Sequence, residues 1–392
     1  MRIGINASFA RKASTGIGQV TVNFLKKLTE FRISNFEFRG DVEFILYLEE
    51  ELPKDIKLPK NFTKRIFLPF WKRDDLARKI LWEKYFLPRM VKKDSCDVLL
   101  SLYQCPTITT IDVAHIMVVH DIVPKLFPEY LNNSRKKKYW NLTEKAIRRA
   151  DKILTVSSRT EKDLIQQLGI EAEKIAVNYI DCDEIYKKTV DTRHVLSLLL
   201  KYKLKPGYIL AGGGMEIRKN VEGVIRAYKY LVESNKTLHF IKEMPELVVY
   251  GKLLPQLAPL AVDAEKLLRE LNLTQHVKLL NRTPQADMPA LFEQALFFVY
   301  PSHYEGFGIP VLEAMNVGTA VIASKKSSLP EVGLDSILYC NPDDPKDIAM
   351  VMRNVLINPE LRATLEARGR ERAQYFSWEK FVTKVLNIIK SL

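Results

Sequence analysis

Residues 296–315 read LFFVYPSHYEGFGIPVLEAM. The apolar run 296–300 makes a buried strand that stops at Pro301. A glycine-bearing loop follows, Glu305-Gly306-Phe307-Gly308. Pro310 then suits the first turn of a helix, where its missing N–H costs nothing. Glycines let backbone N–H groups approach a ligand closely, and a helix N-terminus favours an anion or a hydroxyl-rich group. Glu313 falls about one turn into the helix and is expected to stay ionised there. An ionised carboxylate only accepts hydrogen bonds, which suits two neighbouring ribose hydroxyls. Glu305 sits earlier in the loop and can reach a second part of the same ligand. The plain alternative is a strand–turn–helix with an acidic first turn.

Outward from this stretch the same rhythm recurs. Strands fit 208–211, 246–250, 277–280, 319–323 and 337–339; helices fit 220–234, 260–271, 287–294, 310–316, 345–357 and 359–374. In the first half, strands fit 2–6, 43–48, 97–102, 115–119 and 153–156, with helices at 17–28, 135–150 and 158–168. Strands alternating with helices predict an α/β chain with parallel sheets covered on both faces. The two blocks meet near 186–206. The expected domains are 1–190 and 191–375, two doubly wound, Rossmann-like units facing across a cleft at the carboxyl ends of their strands. The chain of 392 residues is long enough for both.

Three further loops lie where such folds bind ligands. AGGGMEIRKN, 211–220, follows a strand and opens a helix. Backbone donors, a helix dipole and two cations, Arg218 and Lys219, make an anion cradle suited to the pyrophosphate of a nucleotide sugar. It is neither a Walker loop nor a dinucleotide fingerprint. Ser14-Thr15-Gly16-Ile17-Gly18 resembles half a phosphate-binding turn, and a tight turn made for packing explains it equally well. His120-Asp121 ends a buried strand, an active-site position in this architecture. Asp181-Cys182-Asp183 is read as a chance tripeptide, since two carboxylates do not make a metal site; no metal is expected.

Hydrophobic residues make up 47% and charged residues 27%, which excludes a mainly disordered chain. No apolar run is long enough to span a bilayer, and the N-terminus lacks a signal-peptide pattern, so the cytosol is expected. Cys96, Cys105, Cys182 and Cys340 are read as reduced, buried thiols. Net charge is +13, which points to an anionic partner. The stretch 54–93 holds 13 basic and 4 acidic residues, interleaved with Phe67, Phe70, Trp71, Trp82, Tyr85 and Phe86. It reads as a face for an anionic membrane, or as solvated basic surface. No nucleic-acid recognition module accompanies the charge. A sugar-nucleotide epimerase would need a G-x-G-x-x-G after the first strand, which is missing.

Together these residues resemble the retaining glycosyltransferases of the family 4 type, glycosyl transferases group 1, with the two-domain GT-B fold. The likeness runs in order through Gly16-Ile17-Gly18, Val119-His120-Asp121-Ile122-Val123-Pro124, GGGMEIRKN, EGFGIPVLEAM, Gly318-Thr319-Ala320-Val321-Ile322-Ala323-Ser324 and Phe376-Ser377-Trp378-Glu379. The HDIVP and RKN spellings look most like bacterial mannosyltransferases of surface polysaccharide, including lipopolysaccharide. The resemblance implies that Arg218 and Lys219 hold the donor diphosphate and Glu313 the nucleotide ribose. It sets Glu305 with Gly306, Phe307 and Gly308 against the donor sugar, and His120 near the sugar's reacting end. Gly16, Gly18, Gly213, Gly251 and Arg282 are counted among the nucleotide-sugar contacts, and 376–392 is a helix crossing back to the first domain. Ala320, Asn178-Tyr179-Ile180 and Asn281 depart from the family pattern. The implied activity is metal- and cofactor-independent transfer of a sugar, mannose from GDP-mannose first, to a glycan or lipid-linked acceptor. It would occur in the cytoplasm, peripherally at the inner face of the plasma membrane. The alternative is a non-catalytic nucleotide-sugar-binding protein of the same fold.

Overall fold

The computed structural model describes residues 1–31, 41–67 and 75–392. Two sheets organise the chain. The first holds β1 (Arg2–Asn6), β2 (Glu43–Leu48), β3 (Phe62–Ile66), β4 (Val98–Ser101), β5 (Ala114–Val119), β6 (Lys152–Thr155) and β7 (Ile175–Val177), in the order β3-β2-β1-β4-β5-β6-β7. All of its pairings are parallel; Ile3, for instance, lies opposite Phe44 of β2 and Val98 of β4. The second holds β8 (Tyr208–Gly212), β9 (Leu247–Gly251), β10 (Val277–Asn281), β11 (Ala295–Tyr300), β12 (Ala320–Ser324) and β13 (Leu338–Cys340), ordered β10-β9-β8-β11-β12-β13 and again all parallel. In each sheet the winding reverses beside the first strand, between β1 and β4 and between β8 and β11. Loops leaving the carboxyl ends of such a pair diverge, and the crevice they leave is where this architecture binds ligands.

The chain divides into two units, one comprising Met1–Asp181 with Phe376–Leu392, the other Cys182–Tyr375. The segment 182–190, placed with the first block on sequence, packs in the second. There Tyr186 is buried, its ring edge against Phe292 with centroids 6.1 Å apart. The helix Thr192–Tyr202 then occupies most of the stretch read as a junction.

Sequence chemistry explains the element ends. Thr15 caps the helix Gly16–Glu30 by accepting from Gly18 N, and Val20, Phe24, Leu25 and Leu28 form its buried stripe. The basic helix Ser134–Arg149 is capped by Asn133 and buries Trp140, Thr143, Ala146 and Ile147. The helix Trp378–Lys390 buries Phe381, Val382, Val385, Leu386 and Ile389 in the first unit. Phe381 meets Phe24 edge-on at 5.9 Å, and Asn178 Nδ2 donates to the Phe381 carbonyl at 3.0 Å. The four cysteines are buried. Among the described residues no helix is long and apolar enough to cross a membrane.

The stretch 54–93 is largely folded into the first unit. Phe70 and Trp71 lie outside the described residues. Trp82 is fully buried, donates from Nε1 to Ser8 Oγ at 2.8 Å, and stacks on Phe67 at 4.7 Å. Trp82 is core and offers nothing to a membrane, and Phe67 is partly buried against it. Among the described residues of the stretch, Leu81, Tyr85 and Phe86 form an exposed patch on a π-helical turn, with Lys84 Nζ 4.8 Å from the Tyr85 ring centre.

Candidate active site

The loops after β8 and β11 leave adjacent parallel strands at the second unit's switch point, so their side chains converge. After β8 the chain turns through three glycines with positive φ, Gly212 (139°), Gly213 (95°) and Gly214 (134°). A Cβ on Gly212 would lie 2.1 Å from the Tyr250 carbonyl oxygen, and only glycine lets β8 and β9 close here. Gly213 N–H donates to that carbonyl at 3.2 Å. Its donor is therefore spent, and Gly214, with open space on its side, is the better-placed member of the trio. A short turn, Ile217–Lys219, then carries both cations. Asn220 ends it in the left-handed region and caps the helix Val221–Leu238 through Oδ1, accepting from Gly223 N. Its Nδ2 donates to the carbonyls of Pro301 (3.1 Å) and Pro342 (2.7 Å), tying this loop to the one after β11.

That second loop brings Glu305 against both cations. Lys219 Nζ lies 2.9 Å from Glu305 Oε1 and Arg218 Nη1 3.2 Å from Oε2. Tyr300 OH accepts from Lys219 Nζ at 2.6 Å and donates to Glu305 Oε1 at 2.8 Å. Arg218 also pairs with Glu216 at 2.8 Å and donates to the Tyr304 carbonyl at 3.1 Å. Burial acts to raise the Glu305 carboxyl, but Lys219 and Arg218 outweigh it and hold the group down at about 2. Burial and the nearby Arg218 act against the Lys219 ammonium, while Glu305 supports it. Each partner favours the other's charged form. The loop is pinned from behind: Ser327 Oγ donates to the Glu305 carbonyl at 2.5 Å, and Ser328 Oγ shares its one hydrogen between the carbonyls of Glu305 (2.9 Å) and Phe307 (2.8 Å). Phe307 is buried and packs the loop. Gly308 caps the helix Ile309–Val317 at φ 106°.

Glu313 departs from its sequence expectation. It lies beyond the first turn, is 5% exposed, and burial pushes its carboxyl up to about 7. The helix dipole fades within a turn, so desolvation wins and ionisation is incomplete at neutral pH. Lys219 is within electrostatic reach of Glu313, which joins it to the Arg218–Lys219–Glu305 cluster. Tyr250 OH, buried within reach of both glutamates, has no hydrogen-bond partner.

The remaining expected residues are placed as follows. Gly251 (φ 152°) would bring a Cβ to 3.1 Å from Gly214 N, so it serves the same close approach as Gly212. Its carbonyl accepts from Arg282 N at 3.3 Å, and the Arg282 side chain is exposed. Gly306 is half-buried. In the first unit, Gly16 is the exposed first residue of its helix. A Cβ on Gly18 would stand 1.9 Å from the Lys12 carbonyl oxygen, and its N–H is taken by Thr15, so the packing explanation accounts for it. His120 is 7% exposed, and its Nε2 lies 2.9 Å from the Leu102 carbonyl oxygen. A carbonyl only accepts, so Nε2 carries the proton and Nδ1 is left as an acceptor. Burial lowers its pKa, and the ring is neutral. Tyr300, Tyr250, Tyr186, Gln285 and Ser327 carry no motif of their own. Tyr300 was within reach on sequence, as the last residue of a strand feeding the loop.

Comparisons with known proteins place the chain in a family. Residues 200–372 match the model for glycosyl transferases group 1, and residues 39–180 the model for glycosyltransferase family 4. The chain is 33% identical over 274 residues to the O-antigen chain mannosyltransferase B of Escherichia coli, covering 70% of this chain and 69% of that protein. It is 26% identical over 363 residues to the O-antigen chain mannosyltransferase RfbU of Salmonella typhimurium, covering 90% of each. Among solved structures, WaaG, a glycosyltransferase involved in lipopolysaccharide biosynthesis, superposes with a TM-score of 0.73 at 17% identity over 99% of both chains. With two Rossmann-like units and a cationic cluster at the second switch point, the chain belongs to the group 1, family 4 type glycosyltransferases of the GT-B fold.

Proposed function

We propose that the protein transfers a sugar from a nucleotide-sugar donor to a glycan or lipid-linked acceptor in cell-surface polysaccharide synthesis. Transfer retains the anomeric configuration and needs no metal. The observation that carries this reading is the largely buried Arg218–Lys219–Glu305 cluster at the switch point. The C1–phosphate bond breaks, and negative charge builds on the leaving diphosphate. Arg218 and Lys219, preorganised in a desolvated site, stabilise that charge. The acceptor oxygen bonds to C1 on the face the diphosphate leaves, and the acceptor's proton passes to the departing phosphate oxygen. Glu305 grips the donor sugar, Glu313 the ribose, and His120 serves the reacting end as a neutral imidazole.

Mannose from GDP-mannose is the first donor to test, because both curated relatives above are named mannosyltransferases. The exposed Leu81, Tyr85 and Phe86, flanked by Lys84, form the patch proposed to rest on an anionic membrane surface that carries the acceptor. A panel of nucleotide sugars, read first by thermal shift and then by release of nucleoside diphosphate, tests the function. GDP-mannose is expected to stabilise the protein and be turned over. Binding without turnover across the panel, acceptor extract included, would favour the non-catalytic alternative.

A further inference from the structure

Tyr186 lies in the turn Glu184–Lys187, 1% exposed, in a segment with no recognisable motif. Its phenol oxygen accepts from Gln285 Nε2 at 2.6 Å. The same Nε2 reaches Glu313 Oε1 at 3.4 Å. The phenol also acts on the Glu313 carboxyl, favouring its ionised form. Gln285 thus donates one hydrogen to the phenol and the other to the buried Glu313 carboxyl, and Tyr186 holds that amide in place from a separate element. Packing alone does not call for this: the Tyr186 ring meets Phe292 edge-on, which phenylalanine would do equally well. Buried polar groups are costly unless paired, and Tyr186, Gln285 and Glu313 are paired through the Gln285 amide. The other groups facing Glu313 are Asp183, which opposes its ionisation, Lys219, which favours it, and the Tyr250 phenol.

We propose that Tyr186 and Gln285 are positioning residues that orient the Glu313 carboxylate and keep it ionised, so that its free lone pairs accept from the donor's ribose hydroxyls. This rests on the reading of Glu313 as the ribose-binding group. Nucleotide binding then withdraws a proton from Glu313, and affinity rises with pH through the carboxyl's titration.

The test measures dissociation constants for GDP and UDP between pH 5.5 and about 9 in the full chain, with Glu313→Gln as baseline. The baseline cancels the nucleotide's own phosphate titration. In the wild type, affinity relative to Glu313→Gln rises as pH climbs through about 7. Tyr186→Phe keeps the ring and removes the oxygen that anchors Gln285 Nε2 beside the carboxylate, which displaces the rise upward by about one pH unit. At pH 7 that weakens binding about fivefold, and the loss disappears at high pH. Gln285→Met moves the profile the same way. A uniform loss at every pH, or no change, in Tyr186→Phe overturns the positioning role and leaves the Glu313 reading intact. Wild-type affinity in Glu313→Gln at every pH overturns the ribose reading and this proposal with it.

Discussion

Replacing Lys219 with methionine separates the chemical role of the cluster from its structural one. Lys219 Nζ sits 2.9 Å from Glu305 Oε1 with both side chains about nine-tenths buried. At an effective dielectric of about 20 the bare attraction is about 6 kcal/mol, much of it offset by desolvation. The Glu305 carboxyl at about 2, against an ordinary value of 4.5, leaves about 3 kcal/mol in favour of the charged form. Lys219→Met keeps the stem and deletes the charge. Glu305 retains Arg218 and Tyr300, so the cost sits at the low end for breaking a buried pair, about 3 kcal/mol. That is within the stability of an ordinary domain, and the variant folds. Turnover falls by about 10²–10³, the usual loss on removing one preorganised charge stabiliser. The double variant Lys219→Met with Glu305→Gln removes both charges; it recovers most of the lost stability and none of the turnover. The assays are chemical denaturation and release of nucleoside diphosphate from the donor identified by the panel. Turnover within threefold of wild type in the single variant, or restored in the double, would refute a role for Lys219 in leaving-group stabilisation.

Other expectations follow from the same geometry. Because the Glu305 carboxyl is lowered by folding, its contribution is full above the unfolded carboxylate range and fades as pH falls toward about 2. Urea midpoints should therefore drop steeply below about pH 4.5 in the wild type and less steeply in Glu305→Gln. Gly212→Ala forces a Cβ to 2.1 Å from a backbone oxygen and should cost about 3 kcal/mol or more, read as a lost thermal transition or insoluble protein. Tyr85→Ser with Phe86→Ser should abolish low-salt binding to anionic vesicles while leaving Tm within a few degrees; undiminished binding would remove the patch from the membrane reading. Trp82→Phe leaves Ser8 Oγ without its indole partner and should lower stability by about 1–3 kcal/mol with vesicle binding unchanged.

The long elements were legible because local signals agree with the packing. Residues 158–168 read as a helix ending at Gly169, and the structure has that helix with Gly169 left-handed at its end. The edge strands β3 and β7 were not legible. FTKRI is basic and mostly exposed, and IAV is three residues long; an edge strand covers little core and needs little apolar pattern. The stretch holding Asp75–Lys93 was read as surface because its charge masks a helical stripe of Trp82, Leu87 and Val91. At the site, Arg218, Lys219 and Glu305 were legible because glycines and strand ends mark their loops. Glu313's incomplete ionisation was not, since it depends on burial by segments distant in sequence. Tyr186 and Gln285 are ordinary residues made special only by meeting at one carboxyl.

The first unit takes its final helix from the far end of the sequence, with the whole of Cys182–Tyr375 lying between. On the ribosome this inverts the order of completion. The first unit emerges first, yet the groove along its helix Gly16–Glu30 that receives Phe381 waits, apolar and uncovered, until the second unit has been synthesised. The nascent chain therefore carries a sticky, half-finished module through about half of its translation, the stage at which chaperone occupancy would be greatest.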